Sequence, residues 1–425
     1  MLSKENNEKL TRVGPGTPMG ELLRELWTPA LRSARLVADG APQRFRLLGE
    51  DLVAFRATDG RVGVIGEGCP HRCASMALAR NEGNGLRCIF HGWKVDVTGK
   101  VVDVPTEQAD RREAFAAKVP VTHYRTQEAG GLVWVYMGKR KTPPKFYDFE
   151  FHEPPAEAIV RCAIVKGTWL QGVEGQLDSA HLNFLHSSSI PDSPRSKTTN
   201  LVGADSSPTF EFIDTPYGFR EAALRKLPDG SRYARIREVV APYYSFIPGP
   251  HGMPRLVVVI VPIDDETSAH WYYYMSPFGP VPDWYAKGTA YDGTDPNDDD
   301  FARDRGNVDN TWNQNREAMK KGHFSGLMYN FVYEDFIIEE SMGPIMDRSR
   351  EYLGTSDLVI IKFRQFLMNA LKEHAQGKLP FGIDQDIDYG AIRSLAHRFP
   401  GEIDWKTLDL KNPEQFQFED AAAAE

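Results

Sequence analysis

The stretch Cys69-Pro70-His71-Arg72-Cys73, followed by Cys88-Ile89-Phe90-His91-Gly92-Trp93 with sixteen residues between His71 and Cys88, decides the organisation of this chain. Each segment places one thiol and one imidazole two or three residues apart, so two short loops can hold one metal group between them. Proline and glycine within the segments indicate loops rather than helices. The candidate ligand set is Cys69, His71, Cys88 and His91.

Two kinds of metal group use two cysteines and two histidines. A Rieske [2Fe-2S] cluster takes both thiolates on one iron and both imidazoles on the other. A structural zinc site is the alternative, but zinc fingers place both cysteines in one pair and both histidines in the other. Each pair in this chain mixes one cysteine with one histidine, which favours the Rieske cluster.

A second group of candidate ligands lies in the segment 171–186. Asp178 and His181 are three residues apart and would share one face of a helix. His186 follows His181 by five residues, about 140° around an ideal helix, so both can reach one metal only if the helix widens or ends between them. Two histidines and a carboxylate are typical of a non-haem Fe(II) site, although a structural helix that happens to carry two histidines would give the same pattern.

The segment 333–345 is rich in acids. Taken alone, its four carboxylates favour a solvated acidic helix face; they are Glu334, Asp335, Glu339 and Glu340.

Several segments resemble the Rieske non-haem iron aromatic-ring-hydroxylating oxygenases, and within them the α subunits of the phthalate dioxygenase group. They are Leu10–Gly20, Arg87–Lys94, Asp178–His181 and Glu340–Arg348. The resemblance covers most of the chain in the right order. One departure is Cys73, where such proteins usually have glycine; we expect a packed, reduced thiol there.

The resemblance implies a role for each candidate. Cys69, His71, Cys88 and His91 would bind the Rieske cluster. His181, His186 and Asp335 would bind a mononuclear Fe(II), with Glu339 as the fallback for the carboxylate. Asp178 would bridge His91 of one chain and His181 of the next, as the route for electrons between subunits.

The same resemblance implies a reaction and partners. The chain would be the oxygenase component of a dioxygenase that uses O2 and NADH-derived electrons to cis-dihydroxylate an aromatic carboxylate. A separate flavin and [2Fe-2S] reductase would supply the electrons, and the chain would form trimers or hexamers. A monooxygenase or O-demethylase would use the same metals. A Rieske electron-transfer protein is the remote alternative, because it would be short and need no second iron site.

Arginine is the natural partner of a substrate carboxylate. Residues 231–242 read as a strand, and alternation places Arg235 and Arg237 on one face, with Arg232 on the other. Two arginines on one face could bind the substrate or could belong to an exposed, ion-paired face. Arg195, after the histidine pair, is a further candidate.

Composition sets the outer limits. The chain has 425 residues and a formal net charge of −9, which argues against a nucleic-acid partner. No apolar run is long enough to cross a bilayer, and four cysteines in this length indicate a reducing cytoplasm rather than a disulfide framework. Short strands followed by mixed strands and helices predict an α+β protein. The expected domains are an all-β Rieske domain within residues 1–142 and a catalytic domain, residues 143–425, with helices covering an antiparallel sheet.

Overall fold

The computed structural model describes residues 2–153, 158–189, 201–202, 205–276, 279–281 and 299–412. The chain forms two compact units. The N-terminal unit comprises Arg12–Tyr147 with Pro262–Asp265, and the C-terminal unit comprises Met1–Thr11, Asp148–Val261 and Glu266–Glu425. The expected limits, 1–142 and 143–425, differ from these units at three places. The first helix, α1 (Lys4–Thr11), belongs to the C-terminal unit, the main boundary falls at 147/148, and the loop 262–265 belongs to the N-terminal unit.

The N-terminal unit is almost entirely β. Two short helices accompany its strands, α2 (Pro18–Arg24) and α3 (Arg112–Ala116). Six strands form one sheet in the order β1-β10-β9-β4-β3-β2, and four form a second in the order β5-β6-β7-β8. The strands are β1 (Trp27–Arg32), β2 (Gln43–Leu47), β3 (Glu50–Arg56), β4 (Val62–Gly66), β5 (Arg80–Glu82), β6 (Gly85–Arg87), β7 (Lys94–Asp96), β8 (Val101–Asp103), β9 (His123–Ala129) and β10 (Leu132–Tyr136).

The two candidate metal loops lie over the core of this unit. The first follows β4, and the second connects β6 to β7. Cys69 and Cys88 are both buried in a cluster with apolar side chains that include Val53, Phe55 and Trp93. The thiols therefore face the protein interior rather than solvent, which is where a cluster ligand must be.

The C-terminal unit is built on an eight-stranded sheet. Its order is β11-β17-β16-β15-β14-β13-β12, and β18 pairs with β14. The strands are β11 (Ile159–Val165), β12 (Thr209–Thr215), β13 (Gly218–Lys226), β14 (Arg232–Val240), β15 (Tyr244–Ile247), β16 (Arg255–Pro262), β17 (Ser268–Met275) and β18 (Leu395–Phe399). The helices that accompany α1 are α4 (Trp169–Leu177), α5 (Arg316–Lys320), α6 (Phe331–Ser341) and α7 (Leu358–Ala375). This architecture confirms the predicted fold class.

Alternation along β14 separates a core face from a polar face. Ala234 and Ile236 pack into an apolar cluster with Phe399 and Trp405. The intervening side chains point to the other face of the sheet, which puts Arg235 and Arg237 on the same side, as the sequence predicted.

Helix α4 is fixed by buried polar contacts at both of its ends. Thr168 caps it by accepting from the Gln171 amide at 3.3 Å. The Gln171 side chain donates to two carbonyls at the end of α6, those of Glu339 and Gly343, each at 3.0 Å. Glu174 binds two further guanidinium groups, from Arg348 and Arg364. The residues that follow α4 therefore start from a rigid position.

Among the described residues, no helix has both the length and the apolar character that crossing a membrane requires.

Candidate metal centres

The two loops of the N-terminal unit share one backbone pattern. In the first, the amide of Cys69 donates to Ala74 and that of Cys73 donates to Cys69, both at 2.8 Å. In the second, the amide of Cys88 donates to Trp93 at 2.8 Å and that of Gly92 donates to Cys88 at 3.0 Å. Each loop thus closes on its own cysteine with the same pair of hydrogen bonds, and each presents its histidine from the turn.

The side chains of these loops fit a [2Fe-2S] cluster. The rings of His71 and His91 lie edge to face with centroids 4.5 Å apart. Nδ1 of His91 is buried and has no hydrogen-bond partner among the described residues. The Cys69 thiol has its pKa raised to about 11, chiefly by burial and then by the adjacent Cys88 thiol. Two buried thiols and an unpartnered imidazole nitrogen are a donor set that a metal group would satisfy.

Trp93 packs against the ring of His71 and holds it in place. Its indole stacks on the His71 ring with centroids 4.6 Å apart and planes 7° from parallel. The indole N–H donates to Thr106 Oγ1 at 3.0 Å, which fixes the ring.

The packed thiol expected at Cys73 is wrong, because this side chain is exposed. Cys73 has a φ of 57°, in the left-handed region, and occupies the place that Gly92 has in the second loop with a φ of 72°. Glycine adopts this conformation without strain. This explains why the related oxygenases usually have glycine where this chain has Cys73. The side chain of Cys73 projects outward, away from the buried thiols.

In the C-terminal unit, the structure brings His181, His186 and Asp335 together. One ligand atom from each lies within 4.8 Å of the others. Asp335 Oδ1 is 2.9 Å from Nε2 of His186 and 3.5 Å from Nε2 of His181. Both imidazoles therefore turn the same nitrogen toward the carboxylate, as a facial arrangement around one ion requires.

The local chain path explains how both histidines reach one point. Helix α4 ends at Leu177, and Asp178 has an extended backbone, with φ −69° and ψ 120°. A short 3-10 turn, His181–Asn183, follows. Asp178 and His181 consequently do not share a helix face, and the helix stops before the first histidine rather than between the two.

Each histidine has its own carboxylate at Nδ1. Glu334 Oε2 lies 2.8 Å from Nδ1 of His186 and accepts from the Ser189 hydroxyl, while Oε1 of the same carboxylate accepts from the Ser325 hydroxyl. Asp178 Oδ2 lies 3.6 Å from Nδ1 of His181. A carboxylate at hydrogen-bond distance from Nδ1, as Glu334 is from His186, keeps the proton there and leaves Nε2 for a metal.

Asp178 is an ionised carboxylate at neutral pH. Burial opposes its charge, but hydrogen bonding and charge from His181 and the backbone amides lower its pKa below the usual value. Its Oδ1 accepts from the Ala180 amide at 2.6 Å. The side chain is still 26% exposed.

The acids of α6 are not a solvated face. Glu334 and Glu339 are buried, Asp335 faces the two histidines, and Glu340 pairs with Arg305. The solvated-face interpretation is therefore wrong. Sequence reasoning missed Glu334 because its partner, His186, lies 148 residues earlier in the chain.

A cavity of about 100 Å³ adjoins the histidines and Asp335. Its wall includes Arg235 and Arg237 from β14. Arg237 is neutralised by Glu221 at 2.7 Å and also donates to the Leu177 carbonyl. Arg235 is buried, and among the described residues it has no ion pair or hydrogen bond; its Nε is unpartnered. Arg195 lies outside the described residues.

Other cavity walls are apolar or aromatic. Tyr272 and Phe331 are aromatic members of the wall, and its aliphatic members include Leu182, Val202, Ile247, Leu256 and Val332. A flat apolar molecule with one anionic group suits such a lining.

A second cavity, of about 250 Å³, also adjoins His181, Asp335 and Asp178. Its wall includes the polar groups Gln171, Glu174, Glu339, Glu351 and Arg364. Gly175 borders both cavities. The candidate metal ligands His181 and Asp335 therefore border two cavities.

Comparison with known families matches both parts of the chain. Residues 26–124 match the Rieske [2Fe-2S] domain, and residues 135–424 match the family described as LigXa C-terminal domain like.

Curated relatives match over nearly the whole length. The phthalate 4,5-dioxygenase oxygenase subunit of Pseudomonas putida is 39% identical, over 97% of this chain and 95% of that protein. The 3-chlorobenzoate-3,4-dioxygenase oxygenase subunit of Comamonas testosteroni is 36% identical, over 96% and 98%. The 5,5'-dehydrodivanillate O-demethylase oxygenase subunit of Sphingobium sp. is 30% identical, over 91% and 84%.

Solved structures share the fold at low identity. NdmA of Pseudomonas putida CBB5, as a QL mutant with theobromine, has a TM-score of 0.60 at 18% identity, over 86% of this chain and 96% of that one. Dicamba monooxygenase bound to dicamba has a TM-score of 0.58 at 16% identity, over 83% and 98%.

The family determines the cofactors, which are a Rieske [2Fe-2S] cluster and a mononuclear iron, with electrons from a separate reductase. The chain belongs to the Rieske non-haem iron dioxygenases, as the oxygenase subunit of an enzyme of the phthalate dioxygenase group.

Proposed function

We propose that this oxygenase cis-dihydroxylates an aromatic carboxylate, and that Arg235 binds the carboxylate. The observation that carries the proposal is a buried guanidinium, without an ion-pair partner in the described part of the chain, in the wall of the cavity that His181, His186 and Asp335 adjoin. Leaving such a cation unpaired is costly, and an anionic substrate would pair it. Two relatives named for such substrates, phthalate and 3-chlorobenzoate, support this class; isophthalate, terephthalate and phenoxybenzoate belong to it as well.

Arg237 has a supporting role in this proposal. Its charge is already balanced by Glu221, and it is 2% exposed. It therefore keeps β14 and the end of α4 in place, through the Leu177 carbonyl, while Arg235 provides the free charge. A guanidinium fork can hold a carboxylate through two parallel hydrogen bonds, which sets the orientation of the ring.

We assign Cys69, His71, Cys88 and His91 to the cluster, and His181, His186 and Asp335 to the mononuclear iron. When bound, the cluster supplies single electrons, and the iron supplies open positions at which O2 reacts. Glu334 holds His186 by its Nδ1, and the apolar cavity wall excludes water from the ring. Glu339, the fallback for the carboxylate ligand, is not part of the group that converges with the two histidines.

Asp178 is our candidate for the electron route between subunits. In this proposal the chain forms a ring, a trimer or hexamer, and Asp178 accepts from His181 of its own subunit and from His91 of the neighbour. Its charge at neutral pH and its partial exposure suit that role. The reductase would be a flavin and [2Fe-2S] protein that takes electrons from NADH, in the cytoplasm.

Single turnover tests the proposal without the native reductase. The purified, iron-loaded protein is reduced chemically without oxygen, mixed with one benzoate or phthalate at a time, and then exposed to O2. Products are identified by mass spectrometry. A product that gains two oxygens and two hydrogens supports ring dihydroxylation and names the substrate. No product from the whole panel, with both metals present, contradicts the aromatic-acid assignment.

The same measurement addresses monooxygenation. The O-demethylase relative is 30% identical over most of both chains, so the alternative has specific support. A product that gains one oxygen, or loses a methyl group, would move the enzyme to that class while leaving the metal assignments unchanged.

A further inference from the structure

Helix α6 carries a buried acid that the mechanism above does not use. Glu339 lies one turn after Asp335 and is 3% exposed. Neither of its carboxyl oxygens has a hydrogen-bond partner among the described residues. Nε2 of His270 is 3.7 Å from Oε2, too far for a hydrogen bond.

Two glycines of α4 make room for this acid and its histidine neighbour. A Cβ at position 175 would lie 2.8 Å from Oε1 of Glu339, and one at position 172 would lie 2.6 Å from Cε1 of His270. The glycines are three residues apart and share a helix face. Glycine inside a helix costs about 1 kcal/mol relative to alanine, and burying a carboxyl group without a partner costs more. Features that cost stability in this way cluster at functional sites.

Glu339 lines a cavity beside the candidate metal ligands. It lines the second cavity together with Asp178, His181 and Asp335. These three residues also line the substrate cavity. The second cavity, about 250 Å³, has room for several waters and polar groups to bind them. Water in it would reach both Glu339 and the candidate metal ligands His181 and Asp335.

The surroundings of this acid favour its protonated form. Burial raises the pKa of Glu339 well above its usual value, the charges of Asp335 and Glu340 raise it further, and Arg305 opposes them. On β17, burial lowers the pKa of His270 to about 3, so this imidazole is neutral. Glu339 therefore has a proton to give and no cationic partner at hydrogen-bond distance.

We propose that Glu339 is the proton-carrying acid of this oxygenase, which passes solvent protons through water in the second cavity to the oxygen atoms that become hydroxyl groups. This inference rests on the ring dihydroxylation proposed above. That reaction combines one arene, one O2, two electrons and two protons into one cis-dihydrodiol. The reductase delivers electrons alone, so both protons must come from solvent. Glu339 gives its O–H proton to a cavity water and regains one from solvent, so it is unchanged after turnover.

Glu339→Gln tests the inference, because glutamine keeps the shape and cannot carry the proton. Glu340→Gln is the matched control, since it removes an acid from the next position of the same helix, where the side chain pairs with Arg305 instead of facing the cavity. Iron content, substrate affinity, single-turnover rate in H2O and D2O, and peroxide release are measured for each iron-loaded protein.

For Glu339→Gln we expect unchanged iron content and substrate affinity, a product rate lower by about 100-fold, as for loss of a general acid, a larger solvent isotope effect, and more peroxide. For Glu340→Gln we expect the wild-type isotope effect and a rate far less affected than in Glu339→Gln, because the carboxyl group that carries the proton is kept. In Glu339→Ala, formic acid should restore part of the rate by entering the space left by the side chain.

An unchanged rate and isotope effect in Glu339→Gln would overturn the inference. Loss of iron or of substrate binding in that variant, with no rescue of Glu339→Ala by formic acid, would overturn it in favour of a structural role. Wild-type protein without product would instead contradict the proposed function, so the two failures are distinct.

Discussion

Oε2 of Glu334 lies 2.8 Å from Nδ1 of His186, and both side chains are almost completely buried. The carboxylate accepts from Nδ1, so Nε2, which lies 2.9 Å from Asp335 Oδ1, is the nitrogen that would bind a metal once its own proton is displaced. The adjacent residues Glu334 and Asp335 thus address opposite nitrogens of one imidazole. In the proposed metal site, Glu334 would set the tautomer of His186, and Asp335 would bind the same metal as His186.

Glu334→Ala should weaken the mononuclear iron site. Loss of such an outer carboxylate typically costs about 10- to 100-fold in metal affinity. We expect sub-stoichiometric mononuclear iron with a full Rieske cluster, measured as total iron together with the visible spectrum of the cluster. Glu334→Gln should lie between the wild type and Glu334→Ala, because its amide oxygen can still accept the proton. Full iron retention in Glu334→Ala would show that the packing around His186 orients its ring without the carboxylate.

Asp178→Asn should retain both metals and nearly abolish turnover. The side chain lies beside His181 but is outside the group of converging ligands, so iron content should not change. Chemically reduced protein reports on electron transfer from cluster to iron, seen as bleaching and recovery of the cluster spectrum after substrate and O2 are added. If the variant loses the mononuclear iron, Asp178 is a structural support of His181 instead.

Arg235→Ala should weaken binding of aromatic acids by roughly 10- to 100-fold, the range for a lost charged hydrogen bond, without unfolding the protein. Arg232→Ala, on the opposite face of β14, is the control and should leave affinity unchanged. Titration with benzoates and phthalates measures both. Equal affinity in wild type and Arg235→Ala, and in the double variant with Arg237→Ala, would remove these arginines as carboxylate ligands.

Arg237→Ala should instead lower the stability of the protein. It would leave Glu221 buried without its ion-pair partner, a change that typically costs about 3–5 kcal/mol. Thermal unfolding of Arg235→Ala and Arg237→Ala, run side by side, compares their melting temperatures. We expect the lower melting temperature in Arg237→Ala. Equal melting temperatures would contradict the supporting role given to Arg237.

Iron binding to the iron-free protein should strengthen as pH rises. Burial lowers the pKa of His186, but the carboxylates of Asp335 and Glu334 raise it by more, so that the net pKa is about 9. The imidazole therefore holds a proton at neutral pH that iron must displace. We expect affinity for Fe(II) to increase between pH 6 and about 9, with the release of about one proton per site at pH 7. Calorimetry in buffers of different ionisation enthalpy measures that proton, and binding without release would contradict the assignment.

The sequence was informative where ligands are close together in the chain. Spacing was enough to predict the pairs Cys69/His71 and Cys88/His91 as cluster ligands, and alternation placed Arg235 and Arg237 on one face. Spacing alone could not select Asp335, because its distance along the chain from the histidines is arbitrary; resemblance was needed.

What the sequence could not show depends on distant packing. Glu334 and Glu339 look like solvated acids until α6 is packed against its neighbours. Arg237 differs from Arg235 because the register of β13 and β14 places Glu221 opposite Arg237 and Ala223 opposite Arg235. We expected a packed thiol at Cys73 because the residue type alone does not reveal the left-handed backbone conformation found there.

The matching hydrogen bonds of the two cysteine loops also bear on how the enzyme matures in the cell. Each loop is closed by hydrogen bonds of its own main chain, between residues at most five apart in the chain. We therefore expect a chain made under iron starvation to fold first and to accept a preassembled cluster afterwards. Iron supply would then limit the fraction of the enzyme that is active, rather than the amount of folded protein in the cell.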